Sequence, residues 1–200
     1  MQDRLQTLMA ELERFGAEND RTATGRARCM LNITRDTGEL LGVVVRATAA
    51  RRVLEIGTSN GYSTLWLADA ARAVGGHVTT VELSDYKVEL ARQTFTRSGL
   101  AACVTQLHDD AARVLRRMET AAFDLVFLDS DRRQYVDWWP DLKRVLRPGG
   151  LLVVDNATSH AAEMAPFARL LTADAELVTV LLPMGNGELL AVKATASAVG

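Results

Sequence analysis

Apolar residues in the first fifty positions recur at three- and four-residue intervals. Leu5, Leu8, Met9 and Leu12 fall on one face of a helix predicted over Met1–Phe15. Leu40, Leu41, Val44 and Val45 do the same for a second helix over Thr34–Ala49. From Arg52 the rhythm changes to short apolar runs: Arg52–Ile56, His77–Val81, Val104–Leu107, Phe123–Leu128 and Leu151–Val154. Each run ends in Gly, Ser, Asp or Asn and is followed by a helical pattern, which predicts βαβ units and a parallel sheet covered on both faces. The tail differs. Glu176–Leu182 and Glu188–Lys193 are strand-like runs joined by Pro-Met-Gly-Asn-Gly, and the Asn-Gly pair predicts an antiparallel hairpin. The expected fold is therefore α/β: a Rossmann-like seven-stranded sheet of parallel strands plus a C-terminal antiparallel hairpin, with helices on both faces. Residues 1–50 form a helical extension serving as lid or oligomerisation element, and residues 51–200 the ligand-binding unit. With no linker or repeat between them, the two read as one structural unit.

Composition narrows the class without choosing an activity. The chain has 200 residues, 48% of them hydrophobic and 24% charged, enough to bury a full core and too apolar for a disordered chain. Its net charge of −2 gives no global footprint for nucleic acid or an anionic membrane. No run approaches 18 consecutive apolar residues, and the charged start MQDRLQTLMAELERF lacks the apolar core of a secretory signal. Cys29 and Cys103 are too far apart for a CxxC knuckle, and two cysteines make no disulfide framework, so a reducing cytoplasm is expected.

The chemistry sits at the ends of the strand-like runs. Glu55-Ile-Gly57-Thr-Ser-Asn-Gly61-Tyr62-Ser63 places two glycines in the turn after the first strand, where the backbone can come close to a ligand and the next helix can offer N–H groups to an anion. The spacing is G-x-x-x-G, not the G-x-G-x-x-G of dinucleotide sites, and this disfavours a nicotinamide cofactor. Glu82 ends the second strand, where a carboxylate can accept both hydroxyls of a ribose. Asp110 follows the third and can serve an adenine amino group or cap the next helix.

The fourth and fifth strands end in Asp129-Ser-Asp131 and Asp155-Asn156. Neighbouring parallel strands lie about 4.8 Å apart, so these tips can converge. Two carboxylates and an amide oxygen make a hard-oxygen site suited to Mg²⁺ or Ca²⁺. Helix capping is the ordinary use of a lone Asp at such a tip, and three such groups at two adjacent tips favour the cation.

Together these residues resemble the class I S-adenosylmethionine-dependent O-methyltransferases of the metal-dependent catechol and caffeoyl-CoA type. The likeness runs from about Met30 to Lys193. It is carried by Glu55, Gly57, Gly61, Tyr62 and Ser63, by Glu82, by Asp129 and Asp131, by Arg-Pro-Gly-Gly at 147–150, and by Asp155 and Asn156. The segment Leu31–Glu39 looks like the family's lid. The resemblance implies that the Gly57–Gly61 turn and Ser63 hold the methionine part of S-adenosylmethionine, with Glu82 on the ribose. It further implies that Asn32 and Ile33 close over the sulfonium, that Asp131 lies near the cofactor's amino group, and that Asp129, Asp155 and Asn156 hold a divalent cation, usually Mg²⁺. Tyr135, Trp138 and Trp139 match the family's aromatic positions.

In that reading a chelated phenolic diol is the methyl acceptor, and Asp129, Arg132 and His160 are the catalytic candidates. Many relatives carry a lysine where this chain has Arg132, and guanidinium is not a base near neutral pH. Arg132 is therefore expected to stabilise a phenolate or a substrate carboxylate, with His160 either a substitute base or a helix cap. Asp109, where relatives often have Gly, is a second departure. A homodimer is expected. The alternatives are methyl transfer to a hydroxyuridine of tRNA, for which Arg116-Arg117, Arg132-Arg133 and Lys143-Arg144 offer local positive charge, and a cofactor-binding homologue without chemistry.

Overall fold

The computed structural model describes residues 2–195. Its seven strands are β1 (Arg52–Ile56), β2 (His77–Glu82), β3 (Val104–His108), β4 (Phe123–Leu128), β5 (Leu146–Val154), β6 (Leu177–Leu182) and β7 (Glu188–Lys193). They form one sheet in the order β3-β2-β1-β4-β5-β7-β6. The first five are parallel, and β7 runs against both β5 and β6. The expected hairpin is present, and β7 inserts between β5 and β6 instead of lying at the edge.

The seven α-helices among the described residues are α1 (Gln2–Thr22), α2 (Arg35–Ala47), α3 (Tyr62–Ala73), α4 (Asp85–Ser98), α5 (Ala111–Arg117), α6 (Tyr135–Val145) and α7 (Ala161–Ala173). Strand residues alternate between two cores, as a period of two requires. Val53, Leu125, Phe127 and Val153 face the layer built from α1 to α4, whereas Leu54, Val126, Leu128 and Val154 face α5 to α7. This double burial is why the strands read as unbroken apolar runs.

Among the boundaries that differ from expectation, three have a visible cause. Helix α1 continues past Phe15 to Thr22 although its apolar stripe ends at Leu12, because Asp20 in its last turns accepts the backbone N–H groups of Met30 and Leu31 at 2.6 and 2.8 Å. Thr34 is the N-cap of α2, its hydroxyl accepting from the Thr37 N–H, and so lies outside that helix. Strand β5 begins at Leu146, five residues earlier than its apolar run, through a register irregularity against β4.

The stripe of α1 is covered within the chain: Leu5, Leu8, Met9 and Leu12 are buried in the same core as α2, α3 and α4. The helical first fifty residues and the rest thus share one hydrophobic layer. No helix among the described residues is long and apolar enough to cross a membrane.

Candidate active site

Every parallel strand ends on the same edge of the sheet, and a cavity of about 1080 Å³ opens there. One end of it is built around the turn after β1. Gly57 has φ of 109°, and a Cβ there would lie 2.0 Å from the Asp129 carbonyl oxygen, so only glycine lets β1 and β4 end so close together. Gly61 also has positive φ, and a Cβ there would meet the Phe95 ring at 2.8 Å.

The turn is braced from below by Glu55, which is fully buried. Its carboxyl accepts hydrogen bonds from the hydroxyls of Ser63 and Thr80, both at 2.6 Å, and from that of Thr64. Burial pushes it up to about 7 despite these three donors. Glu82 reaches over the turn from β2. One of its oxygens accepts the Ser59 N–H at 2.9 Å, and the other accepts the N–H groups of Leu83 and Ser84, both at 2.9 Å. Ser59 in turn donates its hydroxyl to the Met30 carbonyl at 2.6 Å, tying the turn to the segment above it.

Asn32, Ile33, Gly57, Glu82 and Asp110 all line the cavity, as the sequence led one to expect. Glu55, Gly61, Tyr62 and Ser63 are not on its wall. The reason is local. The Asn60 side chain accepts the Tyr62 N–H at 3.1 Å, which takes up one of the unpaired N–H groups at the start of α3. Ser63 turns its hydroxyl to Glu55, and the Tyr62 hydroxyl bonds Glu13 at 2.5 Å. These four residues shape the turn from behind.

Asp110 is the N-cap of α5, accepting the Arg113 N–H at 3.0 Å. Asp109 pairs with Arg117 at 2.8 Å and Arg113 at 3.2 Å. Asp131 is held in a two-point pair with Arg133, both contacts 2.8 Å, and this pair pulls its carboxyl well below the usual range.

At the other end of the cavity the tips of β4 and β5 meet. The amide nitrogen of Asn156 donates to Asp129 at 3.1 Å and to Asp155 at 2.9 Å, so both carboxylates converge on one point. Asp129 is pushed well above the normal carboxylate range by burial and by the charges of Asp155 and Glu55. Burial also raises Asp155. Glu188, which the sequence reading missed, stands behind them on β7. It is fully buried, takes the Thr37 hydroxyl on one carboxyl oxygen at 2.7 Å, leaves the other oxygen without a partner, and is pushed up to about 9 by burial and by the charge of Asp155.

Among the described residues no cluster of three Asp, Glu, His or Cys side chains has metal-binding geometry. A cation site here needs the amide. The donor types fit one: two carboxylates already within hydrogen-bond reach of a single atom, and a third hard oxygen on the Asn156 amide, which here accepts from Ser159 at 3.2 Å and would join the carboxylates with the amide turned over.

Arg132 and His160 complete this end. Arg132 is 5% exposed, and its Nε donates to Glu163 at 3.2 Å. His160 lines the cavity at the N-cap of α7 but makes no capping bond; its Nδ1 sits 3.0 Å from the Ser159 hydroxyl. Trp138 lines the cavity as well, whereas Tyr135 and Trp139 pack into the core against Phe167. The other residues missed from sequence, Glu13 and Asp20 of α1 and Asn186 of the β6–β7 connection, come to the cavity only through tertiary packing.

A seven-stranded sheet with one reversed strand, a glycine turn after β1, an acid at the tip of β2 and a cavity across the strand ends define a Rossmann-like methyltransferase. The chain belongs to the O-methyltransferase family, whose model matches residues 3–194. A relative from Mycobacterium sp. (strain JLS), named as an O-methyltransferase, is 32% identical over 207 residues, covering 95% of this chain and 94% of the relative. The O-methyltransferase TomG from Streptomyces achromogenes, solved with S-adenosylmethionine and involved in tomaymycin synthesis, superposes with a TM-score of 0.75 at 25% identity, over 96% of this chain and 89% of that one. The Bacillus cereus O-methyltransferase, solved with S-adenosylhomocysteine, shares the fold at a TM-score of 0.80 and 24% identity, over 94% and 90% of the two chains.

Proposed function

We propose that the chain transfers the methyl group of S-adenosylmethionine to a hydroxyl of a small phenolic, catechol-like acceptor, with a divalent cation held by Asp129, Asp155 and Asn156. The observation that carries this reading is the meeting of Asp129 and Asp155 on the Asn156 amide: Asp129 and Asn156 lie in the wall of the cavity that also contains Gly57 and Glu82, and Asp155 is buried just behind that wall. Family membership supplies methyl transfer to oxygen, and the cofactor-bound neighbours support S-adenosylmethionine as the donor.

The residues divide the work by position. Glu82 offers its carboxylate to the ribose hydroxyls while anchoring the Gly57 turn through the Ser59 N–H. Asn32 and Ile33 cover the donor, and the segment that bears them is tied down by Asp20 just before it. A bound divalent cation, Mg²⁺ by donor chemistry, would make a coordinated hydroxyl more acidic and fix its oxygen for in-line attack. Arg132 is a permanent cation on the same stretch of cavity wall, placed to meet negative charge on the acceptor; it cannot itself accept a proton near neutral pH. His160 can, its Nδ1 held by Ser159. The sulfonium methyl is already activated, so positioning and charge are most of what the protein must supply.

The test is methyl transfer from labelled S-adenosylmethionine to a catechol panel, first with Mg²⁺ and then with EDTA. Transfer abolished by EDTA supports the chelated-acceptor reading, and transfer indifferent to EDTA overturns it. Cofactor binding with no turnover of any phenol would overturn the acceptor class.

A further inference from the structure

Arg132 carries a charge that the protein leaves half used. Its side chain is 95% buried in effect, with 5% of its surface exposed, yet it lines the cavity. Only its Nε is engaged, with Glu163 at 3.2 Å, and Glu163 is itself about half exposed, at 46%. Neither terminal nitrogen makes a hydrogen bond to any described residue. Those two nitrogens are reached from the cavity while the rest of the side chain is buried, and the planar fork they form matches a carboxylate in two-point geometry.

The neighbouring acids do not fill that role. Asp129 and Asp155 act on Arg132 only through space, their oxygens being turned to the Asn156 amide. Asp131 is consumed by Arg133 through two bonds. Glu188 faces Asp155 and Thr37. His160 lies on the same part of the cavity wall, its Nδ1 beside the Ser159 hydroxyl at 3.0 Å.

We propose that Arg132, with His160 beside it, is a carboxylate subsite: the acceptor is a hydroxylated aromatic acid whose carboxylate docks on the free edge of the guanidinium while its hydroxyl lies at Asp129, Asp155 and Asn156. This rests on the phenolic-acceptor reading and narrows it. The subsite rejects neutral phenols of the same shape because they leave the Arg132 donors unpaired in a desolvated place.

Calorimetric titration separates the two claims, since it needs no turnover. The protein is loaded with Mg²⁺ and S-adenosylhomocysteine and titrated with 3,4-dihydroxybenzoate and, separately, with catechol. Dihydroxybenzoate is expected to bind at least about tenfold tighter. In Arg132→Met that ratio falls to near one, and Arg132→Lys, which keeps the charge and loses the fork, retains part of it. Equal affinities in the unmodified protein, or no binding of either compound, overturn the subsite. So does an Arg132→Met variant that weakens both ligands by the same factor, which would make Arg132 a phenolate or positioning group. Should Arg132→Met fail to fold, the Lys variant and the ratio in the unmodified protein decide the matter. Discrimination in binding without methyl transfer overturns the enzymatic reading alone, and transfer to both compounds at equal affinity overturns the subsite alone.

Discussion

Gly57 and Glu55 occupy the same turn and fail in different ways when changed. At Gly57 the space is already taken: φ is 109°, and an added Cβ would sit 2.0 Å from the backbone oxygen of Asp129. Gly57→Ala is expected to destabilise the chain by at least about 2 kcal/mol, seen as a lower urea midpoint, because backbone and not a flexible side chain must yield. Glu55 shows a pH effect instead. Its carboxyl is raised from 4.5 to about 7 by burial. Between those values the folded chain keeps a proton that the unfolded chain releases, so stability present at low pH is lost as pH rises through the window. The total is on the order of 3 kcal/mol. Glu55→Gln cannot titrate, and urea midpoints at pH 5 and pH 8 should lie closer together than in the unmodified protein. An unchanged gap would show that Glu55 is ionised throughout.

Among the elements, α1 does two jobs with its two halves. Its first half is core, through Leu5, Leu8, Met9 and Leu12. Its second half is a tether, where Asp20 holds the N–H groups of Met30 and Leu31 and so fixes the approach to Asn32 and Ile33. Asp20→Ala should therefore weaken S-adenosylhomocysteine binding by roughly three- to tenfold with little change in melting temperature, the loss of two charge-assisted hydrogen bonds at an edge of the fold. A large drop in melting temperature with unchanged affinity would make the tether purely structural. The sequence showed the first half and not the second. Apolar periodicity marks only surfaces that bury hydrocarbon, and the tether is polar and pairs residues ten positions apart. The same limit explains the site. Glycines, Glu82, Asp129, Asp155 and Asn156 stand at strand ends, where local chemistry and position coincide, and so could be placed from sequence. Glu188 sits within β7, where its neighbours Leu189 and Leu190 mark a strand and nothing local marks a buried acid facing Asp155. Tyr62 and Ser63 lie behind the turn for a related reason: residue type suggested a helix start open to a ligand, and the Asn60 side chain takes one of its N–H groups, that of Tyr62.

At the scale of the whole molecule, the parallel sheet gathers the candidate site residues at its strand ends on one edge and divides them between two neighbourhoods. Gly57, Glu82 and Asp110 hang from β1, β2 and the start of α5, while Asp129, Asp155 and Asn156 hang from β4 and β5. The hinge between the neighbourhoods is the contact of Gly57 with the Asp129 backbone, so the two are adjacent but made of different side chains. They should therefore be separable by binding energy. A ligand that binds only the folded state at a hundredfold excess over its dissociation constant adds about 2.7 kcal/mol, several degrees in melting temperature for a chain of this size. S-adenosylhomocysteine is expected to give such a rise in the unmodified protein and equally in Asp155→Ala. Mg²⁺ with a catechol-bearing ligand is expected to give a further rise in the unmodified protein and none in Asp155→Ala, where the convergence on Asn156 has lost one of its two carboxylates. If Asp155→Ala abolished the response to S-adenosylhomocysteine as well, the two neighbourhoods would be one cooperative site, and the β1–β4 contact at Gly57 would be the element that joins them.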